Sequence, residues 1–388
     1  MELYSLNPNP QSLIPMNPMC DRPYTVMLIV PTGVGAAIGG YAGDALPVAR
    51  AIAQVADRLI THPNVLNGAQ LYWPLPNALY VEGYGLDQFA AGQWGLRPVR
   101  QNRVGLLLDA GIEPDLRWRH LQAADAARAT LGLSLTEYVV TDAPLGVSLQ
   151  TADSGATWGT LQHPDSLLRG VETLITQAKA EAIAVVARFP DDEGSDALNA
   201  YRHGQGVDPL AGAEAIISHL VVRTFQVPCA HAPALSPLPL DPTLSPKSAA
   251  EELGHTFLPC VLVGLSRAPQ FVCQTNQNPL SQDIWANQVD ALVIPATACG
   301  GSAVLSLGQT HTQIITVADN TTRMQATAEA MGIRAIAVQS YLEALGVLVA
   351  HRAGLDPAAL SPTAENLRAL APSGSLESLT ANLPKMLA

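Results

Sequence analysis

The chain has 388 residues, enough for two packed lobes, and its 48% hydrophobic and 14% charged residues describe a core-rich globular protein, not a disordered one. A formal net charge of −12 withholds the basic footprint that nucleic acid or an anionic membrane surface needs. No run of about 18 apolar residues marks a membrane span, and the opening Asn7-Pro8-Asn9-Pro10 stretch lacks the basic and apolar regions of a signal peptide, so a cytoplasmic setting is expected.

Residues 1–22, rich in proline and asparagine, read as an extended N-terminal arm. Strands are expected over 25–30, 104–108, 137–140, 182–187, 260–265, 291–294, 313–317 and 335–338. These runs are nearly continuous in Ala, Val, Ile and Leu, as in strands buried on both faces of a parallel sheet. Helical patterns lie between them. One is capped by Asp44 and carries Val48, Ile52 and Val55; another follows Asp165, with Leu168, Val171 and Leu174 on one side. Asp208-Pro209 opens a third that carries Ile216, Ile217 and Leu220, and a fourth runs from Ser340 to near Gly354. The alternation predicts an α/β class with mostly parallel, doubly wound sheets in two lobes around a cleft. The lobes are set at 23–200 and 201–360, with a proline-rich loop at 232–248 and a peripheral tail at 361–388.

The basic residues are chosen unevenly, since Lys179, Lys247 and Lys385 are the sole lysines and the rest are arginine. Arginine suits phosphate or carboxylate, whereas imine chemistry needs lysine. Cys20, Cys229, Cys260, Cys273 and Cys299 are odd in number and form no CxxC pair, which reads as a reducing compartment and not a disulfide framework or zinc knuckle.

In open α/β sheets ligands bind beyond the carboxyl ends of the strands. The first strand is followed by Pro31-Thr32-Gly33-Val34-Gly35 and then Gly39-Gly40-Tyr41-Ala42-Gly43-Asp44. Later ends carry Ser266-Arg267, Ala296-Thr297-Ala298-Cys299-Gly300-Gly301 and Asp319-Asn320-Thr321. Glycine-rich turns that run into helices present N–H groups to anions. Thr32, Gly33, Gly35, Gly39, Gly40, Asp44, Arg267, Gly300, Gly301 and Asn320 are therefore the candidate ligand-binding residues, with close packing of tight turns as the alternative. No dinucleotide fingerprint or phosphate loop is complete, because Ile38 and Tyr41 stand where glycine and lysine belong. No cofactor is assigned.

For chemistry, Cys299 stands before a glycine pair and an expected helix whose dipole would lower its pKa; the alternative is a small residue packed under a turn. His62 and Glu82 make a candidate acid/base pair; the alternative is that His62, with Asn64 and Asn67, caps turns. Glu214, Ser218, His219, Cys229 and His231 form a second constellation, in which His219 and His231 are candidate catalytic groups and Cys229 with His231 a candidate metal or thiolate–imidazolium pair. No HExxH or paired-cysteine spacing supports a metal, and none is assigned. Gly264-Leu265-Ser266-Arg267-Ala268 resembles a nucleophile elbow but lacks its last glycine. Arg97, Arg100 and Arg103 read as an anion clamp or a solvated cationic face.

Several runs carry a resemblance: Pro31 to Asp44, Ile60-Thr61-His62-Pro63-Asn64-Val65, Tyr80-Val81-Glu82-Gly83-Tyr84-Gly85, Ser340-Tyr341-Leu342-Glu343-Ala344 and Ala350-His351-Arg352-Ala353-Gly354. From about residue 24 to about 360 the chain resembles a domain-of-unknown-function family (number 3326) of cyanobacteria and plastids. The resemblance implies a bacterial cytosol or plastid stroma and transfers no activity. The expectation is an enzyme holding a small phosphorylated or carboxylated metabolite, a small anion, at its strand-end loops. A non-catalytic ligand sensor or assembly protein, and a Cys/His metal protein, are the alternatives. Assembly as a homo-oligomer is left open.

Overall fold

The computed structural model describes residues 22–67, 69–191, 194–254, 257–273 and 280–362. The expected N-terminal arm before residue 22 and the tail from 363 lie outside the described residues. In chain order the strands are β1 (Thr25–Leu28), β2 (Arg58–Thr61), β3 (Ala78–Tyr80), β4 (Trp94–Arg97), β5 (Val104–Leu108), β6 (Leu135–Val140) and β7 (Val147–Thr151). They continue as β8 (Thr157–Leu161), β9 (Ala182–Arg188), β10 (Cys229–Ala234), β11 (Gln270–Cys273), β12 (Ala291–Pro295), β13 (Gln313–Val317) and β14 (Ala335–Val338).

Two wholly parallel sheets organise the molecule. One has six strands in the order β14-β13-β12-β1-β2-β3 and the other four in the order β10-β9-β5-β6. Two antiparallel pairs, β4 with β11 and β7 with β8, complete the strand pairing. The sheets are nested along the chain, because β1–β3 and β12–β14 share the larger sheet while β5, β6, β9 and β10 form the smaller one between them. The expected boundary at residue 200 falls between β9 and β10, which are neighbours in one sheet.

Alternation along each strand explains this packing. Val26, Leu28, Leu59, Val293 and Ile315 enter one buried cluster, together with Leu106, Ala184 and Ala230 of the smaller sheet. Met27, Ile60, Leu292 and Ile314 enter another, with Leu107, Ile183 and Val185. Both faces of both sheets are thus covered, as apolar-run strands require. At about 25 cal/mol per Å² of buried apolar surface, this two-sided burial is the main term holding the sheets together.

Connections run outward in both directions from β1 and β12 in the larger sheet, and from β5 and β9 in the smaller one. Chain reversals of this kind open a crevice at the strand ends. The described residues fall into two compact units, one ending at Leu348 and one beginning at Val349. The second holds the end of the helix Tyr341–Arg352 and the short turn Pro357–Leu360, whose Ala358 N–H donates to the Asp356 side chain.

Three local expectations are corrected. The run at 260–265 lies in a helix, Leu258–Ser266, begun by Pro259 in its first turn and buried nearly all round, so its apolar residues show no period that separates helix from strand. The elbow-like Gly264–Ala268 segment is therefore a helix end, and Ser266 donates to the Val263 carbonyl. Asp44 does not cap the helix Leu46–Val55, whose N-cap is Ala45; its carboxylate takes the Gly39 N–H instead, at 2.5 Å. Asp208 accepts from Leu210 N at 2.8 Å, and the helix that follows begins only at Ala211.

Candidate functional site

A cavity of about 1080 Å³ opens at the carboxyl ends of both parallel sheets. Ile29, Pro31 and Thr32 after β1 reach it, as do His62 after β2, Glu82 after β3, and Ala298 and Gly301 after β12. From the smaller sheet come His120 on the helix Pro114–Leu131, Pro190 and Asp191 after β9, and His231 on β10. The loops at 31–44 and 296–301, drawn from opposite ends of the chain, line one space.

Two histidine pairs stand on its wall. Glu82 is the N-cap of the helix Gly83–Ala90, and its Oε2 accepts from Tyr84 N at 2.8 Å and Gly85 N at 3.3 Å. Its other oxygen, Oε1, forms a close ion pair with Nδ1 of His219, which the helix Ala211–Phe225 presents. Gly83 makes room for that ring, because a Cβ there would lie 2.9 Å from His219 Cε1. Burial pulls the His219 pKa down, but the Glu82 hydrogen bond and charge, helped by Asp87, outweigh it and raise the pKa above its usual 6.5. A carboxylate on Nδ1 is the arrangement that orients an imidazole for proton transfer through Nε2.

The second pair lies on the same helix and on β10. Ser218 Oγ meets Nδ1 of His231 at 2.5 Å, and Glu214 Oε2 lies 3.6 Å from Nε2 of that ring. Glu214 and Ser218 are four residues apart and share a helix face, which is why both reach one imidazole. Cys229, two residues before His231 on β10, links the pairs. Its thiol pKa is pushed well up, first by burial and then by the Glu82 charge. A thiol held protonated is a poor nucleophile and a poor metal ligand. Among the described residues, no group of three or more His, Cys, Asp or Glu side chains is arranged to hold a metal ion.

His62 lines the cavity in another state. Its Nε2 accepts the Val30 N–H at 3.1 Å, and full burial lowers its pKa to about 4, so it is a neutral imidazole. The expected His62–Glu82 pair is not formed, since the Glu82 carboxylate turns to His219.

Cys299 is placed differently from expectation. It is fully buried, its sulfur lies near the Ala296 and Pro295 carbonyls at 3.7 and 4.0 Å, and burial raises its pKa instead of lowering it. The helix that follows, Ser302–Leu307, is only six residues long.

Of the residues expected to hold an anion, Thr32 and Gly301 line the cavity, while Gly33, Gly35, Gly39, Gly40, Asp44, Arg267, Gly300 and Asn320 do not. Gly33 and Gly35 adopt φ of +69° and +62°, and a Cβ on either would meet Thr157 or Val207 at 2.9 Å, so these glycines serve the turn and its close packing. Several loop amides are already satisfied internally: Ala37 by the Thr321 carbonyl, Ile38 by Asn320, Gly39 by Asp44 and Ala42 by Glu251. Asn320 also donates to the Ile38 carbonyl and to Tyr341, clamping the loop. Arg267 is exposed at a helix end. The three spaced arginines make no cluster on the cavity, because Arg97 grips Asp283 through two bonds and Arg103 pairs with Glu181.

Carboxyl groups gather on the wall. Asp208, Glu214 and Glu251 line it together with Tyr201, which stacks on Tyr41 with ring centroids 4.4 Å apart. Glu251 accepts from Ala42 N at 2.6 Å and from Tyr201 Oη at 2.7 Å, and burial pushes its pKa up to about 7. Burial, with the charges of Glu251 and Glu214, also raises Asp208. Arg202, which shares the lining, is tied to Glu252. Leu198, Leu235, Leu238, Leu244 and Phe257 make the apolar part of the wall.

A family model described as a protein of unknown function, DUF3326, matches residues 25–361. The chain belongs to that family. A relative from a Synechococcus strain, described as an uncharacterised lipoprotein, is 63% identical over 344 residues, covering 89% of this chain and 95% of the relative. The phototroph setting implied by the sequence resemblance thus has a cyanobacterial counterpart. No solved structure matches this chain. Among the described residues, no helix is long and apolar enough to cross a membrane.

The residues with the clearest chemistry here include two that sequence reasoning left without a role. Ser218 and Glu214 stood in the His219/His231 constellation, but their service to His231 depends on how the helix Ala211–Phe225 lies against β10. Their spacing of four on one helix was the available signal.

Proposed function

We propose that this DUF3326 chain is an enzyme that moves protons on a small molecule held in the strand-end cavity, with His219 as general acid and His231 as general base. The observation that carries this reading is the pairing of each ring with its own orienting group on one cavity wall, Glu82 for His219 and Ser218 with Glu214 for His231. A raised His219 pKa keeps a proton available near neutrality, which is what a general acid needs. The lining carries more carboxyl groups than arginines, and burial holds Asp208 and Glu251 toward their protonated forms, which favours a neutral, hydrogen-bonding ligand over the phosphorylated or carboxylated one suggested by the glycine loops.

Incubating the purified chain with a small-molecule extract of a cyanobacterium, followed by untargeted mass spectrometry, tests the reading. At least one compound should be consumed by the wild type and spared by His219→Gln. An extract left unchanged by the wild type, or consumed equally by the variant, overturns it. For location, the cytosolic setting read from the sequence competes with the membrane attachment suggested by the relative's description as a lipoprotein. Fractionation of native cells separates the two.

A further inference from the structure

A serine pressed against an imidazole nitrogen, with a carboxylate beside the ring's other nitrogen, is more than an orienting contact. We infer that Ser218 is a nucleophile activated by His231, and that the substrates are esters, thioesters or activated amides whose acyl group passes through Ser218. This rests on the acid–base reading above and names its reaction class.

The geometry assigns the tautomer. Ser218 Oγ lies 2.5 Å from His231 Nδ1, so that nitrogen accepts the hydroxyl proton when the other nitrogen carries the ring N–H. Glu214 Oε2 stands 3.6 Å from Nε2, where its charge favours an N–H at that position and the imidazolium that forms when the serine is deprotonated. This is the serine–histidine–carboxylate order with the two ring nitrogens exchanged, built from one helix and one strand. Ser218 is only 2% exposed, yet it borders the cavity, so an acyl carbon and the water that later releases it reach it from that side. His219, the next residue, borders the same space and carries the positive character that Glu82 sustains, available to negative charge that develops there.

The step balances without an added oxidant or metal. The Ser218 Oγ–acyl carbon bond forms as the bond from that carbon to the leaving oxygen, sulfur or nitrogen breaks. The hydroxyl proton passes to His231 Nδ1, while the His219 imidazolium protonates the leaving group. Water then gives a proton to His219 and attacks the acyl-serine, releasing a carboxylic acid as His231 Nδ1 returns the serine proton. Glu214 is a positioning residue in this scheme. Ser218, by contrast, bonds to substrate.

The full-length chain treated with a small fluorophosphonate, which needs no known substrate, provides the test. A single adduct mapped to Ser218 by peptide mass spectrometry is expected, absent in Ser218→Ala and forming at least about 10-fold more slowly in His231→Gln. Glu214→Gln keeps a side chain of the same shape, so its folding is not in question. It should slow labelling because the imidazolium loses its carboxylate, and Glu214→Asp, which keeps the charge, should recover part of the rate; a merely structural Glu214 would leave labelling of Glu214→Gln at the wild-type rate. No adduct, an adduct elsewhere, or a labelling rate indifferent to His231→Gln overturns the proposal. If labelling fails while His219→Gln still abolishes consumption of a compound from the extract, the nucleophile falls and the acid–base reading stands. If labelling succeeds and His219→Gln consumes the extract normally, the reverse holds.

Discussion

Glu82→Gln separates the two tasks of one carboxylate. Glutamine keeps an oxygen to accept the Tyr84 and Gly85 N–H groups, now held by Glu82 Oε2 at 2.8 and 3.3 Å, so the helix cap survives. Stability should fall by about 1 kcal/mol or less, whereas Glu82→Ala, which removes the cap as well, should cost about 1–2 kcal/mol. The imidazole responds differently. Burial pulls the His219 pKa below 6.5, and the Glu82 bond and charge, with help from Asp87, are what lift it; without the carboxylate, burial prevails and the pKa drops. Because the wild-type pKa is raised on folding, the pair's contribution is fully present below pH 6.5 and fades as the pH rises through the higher folded value. The stability gap between wild type and Glu82→Gln should therefore be widest in acid and should narrow in base. Histidine Cε1–H titration by NMR, with urea denaturation near pH 5.5 and pH 8.5, reads both quantities. An unchanged His219 midpoint in Glu82→Gln, or a gap that widens in base, refutes the reasoning.

Other consequences are direct. In Gly83→Ala the new methyl lies 2.9 Å from His219 Cε1, so the ring must turn away from Glu82; its NMR midpoint should fall as in Glu82→Gln, and an undisturbed midpoint would mean that the pair tolerates the crowding. His62 is buried with its pKa lowered from 6.5 to about 4, so its contribution is present above pH 6.5 and lost as the pH falls toward 4, by about 3 kcal/mol in all. His62→Gln can still accept the Val30 N–H and should flatten that acid slope in denaturation curves; an unaltered slope would place the acid sensitivity elsewhere. Cys299→Ala should cost about 1 kcal/mol through lost packing and leave turnover of any identified compound intact, whereas lost turnover would restore the cysteine as a nucleophile.

Much of the fold was legible because buried parallel strands write themselves as short apolar runs. Seven of the eight expected strands lie where β1, β5, β6, β9, β12, β13 and β14 form. The exception, 260–265, failed because a helix buried nearly all round carries no polar face to reveal its period. The nesting of one sheet within the other was not legible, since it depends on Val26 pairing with Ala291, a contact no local pattern encodes. At the site, His62, Glu82, His219 and His231 were visible as chemistry-bearing residues, and all four line one cavity. Which of them pair was not visible: Glu82 chooses His219 over His62 because Gly83 admits one ring and Val30 occupies the other. The glycine loops drew attention to the correct end of the sheet for a different reason. The loop amides of Ile38, Gly39 and Ala42 are bound by Asn320, Asp44 and Glu251, which makes the loop part of the cavity's scaffold.

The most direct measurement compares the turnover of one extract compound by wild type, His219→Gln and His231→Gln, each shown by circular dichroism to be folded. Positioned acids and bases contribute about 10²-fold or more apiece, so each substitution should reduce the rate by at least that factor. A folded variant of either histidine that turns over the compound at the wild-type rate would contradict the assignment of the two rings as the reacting pair.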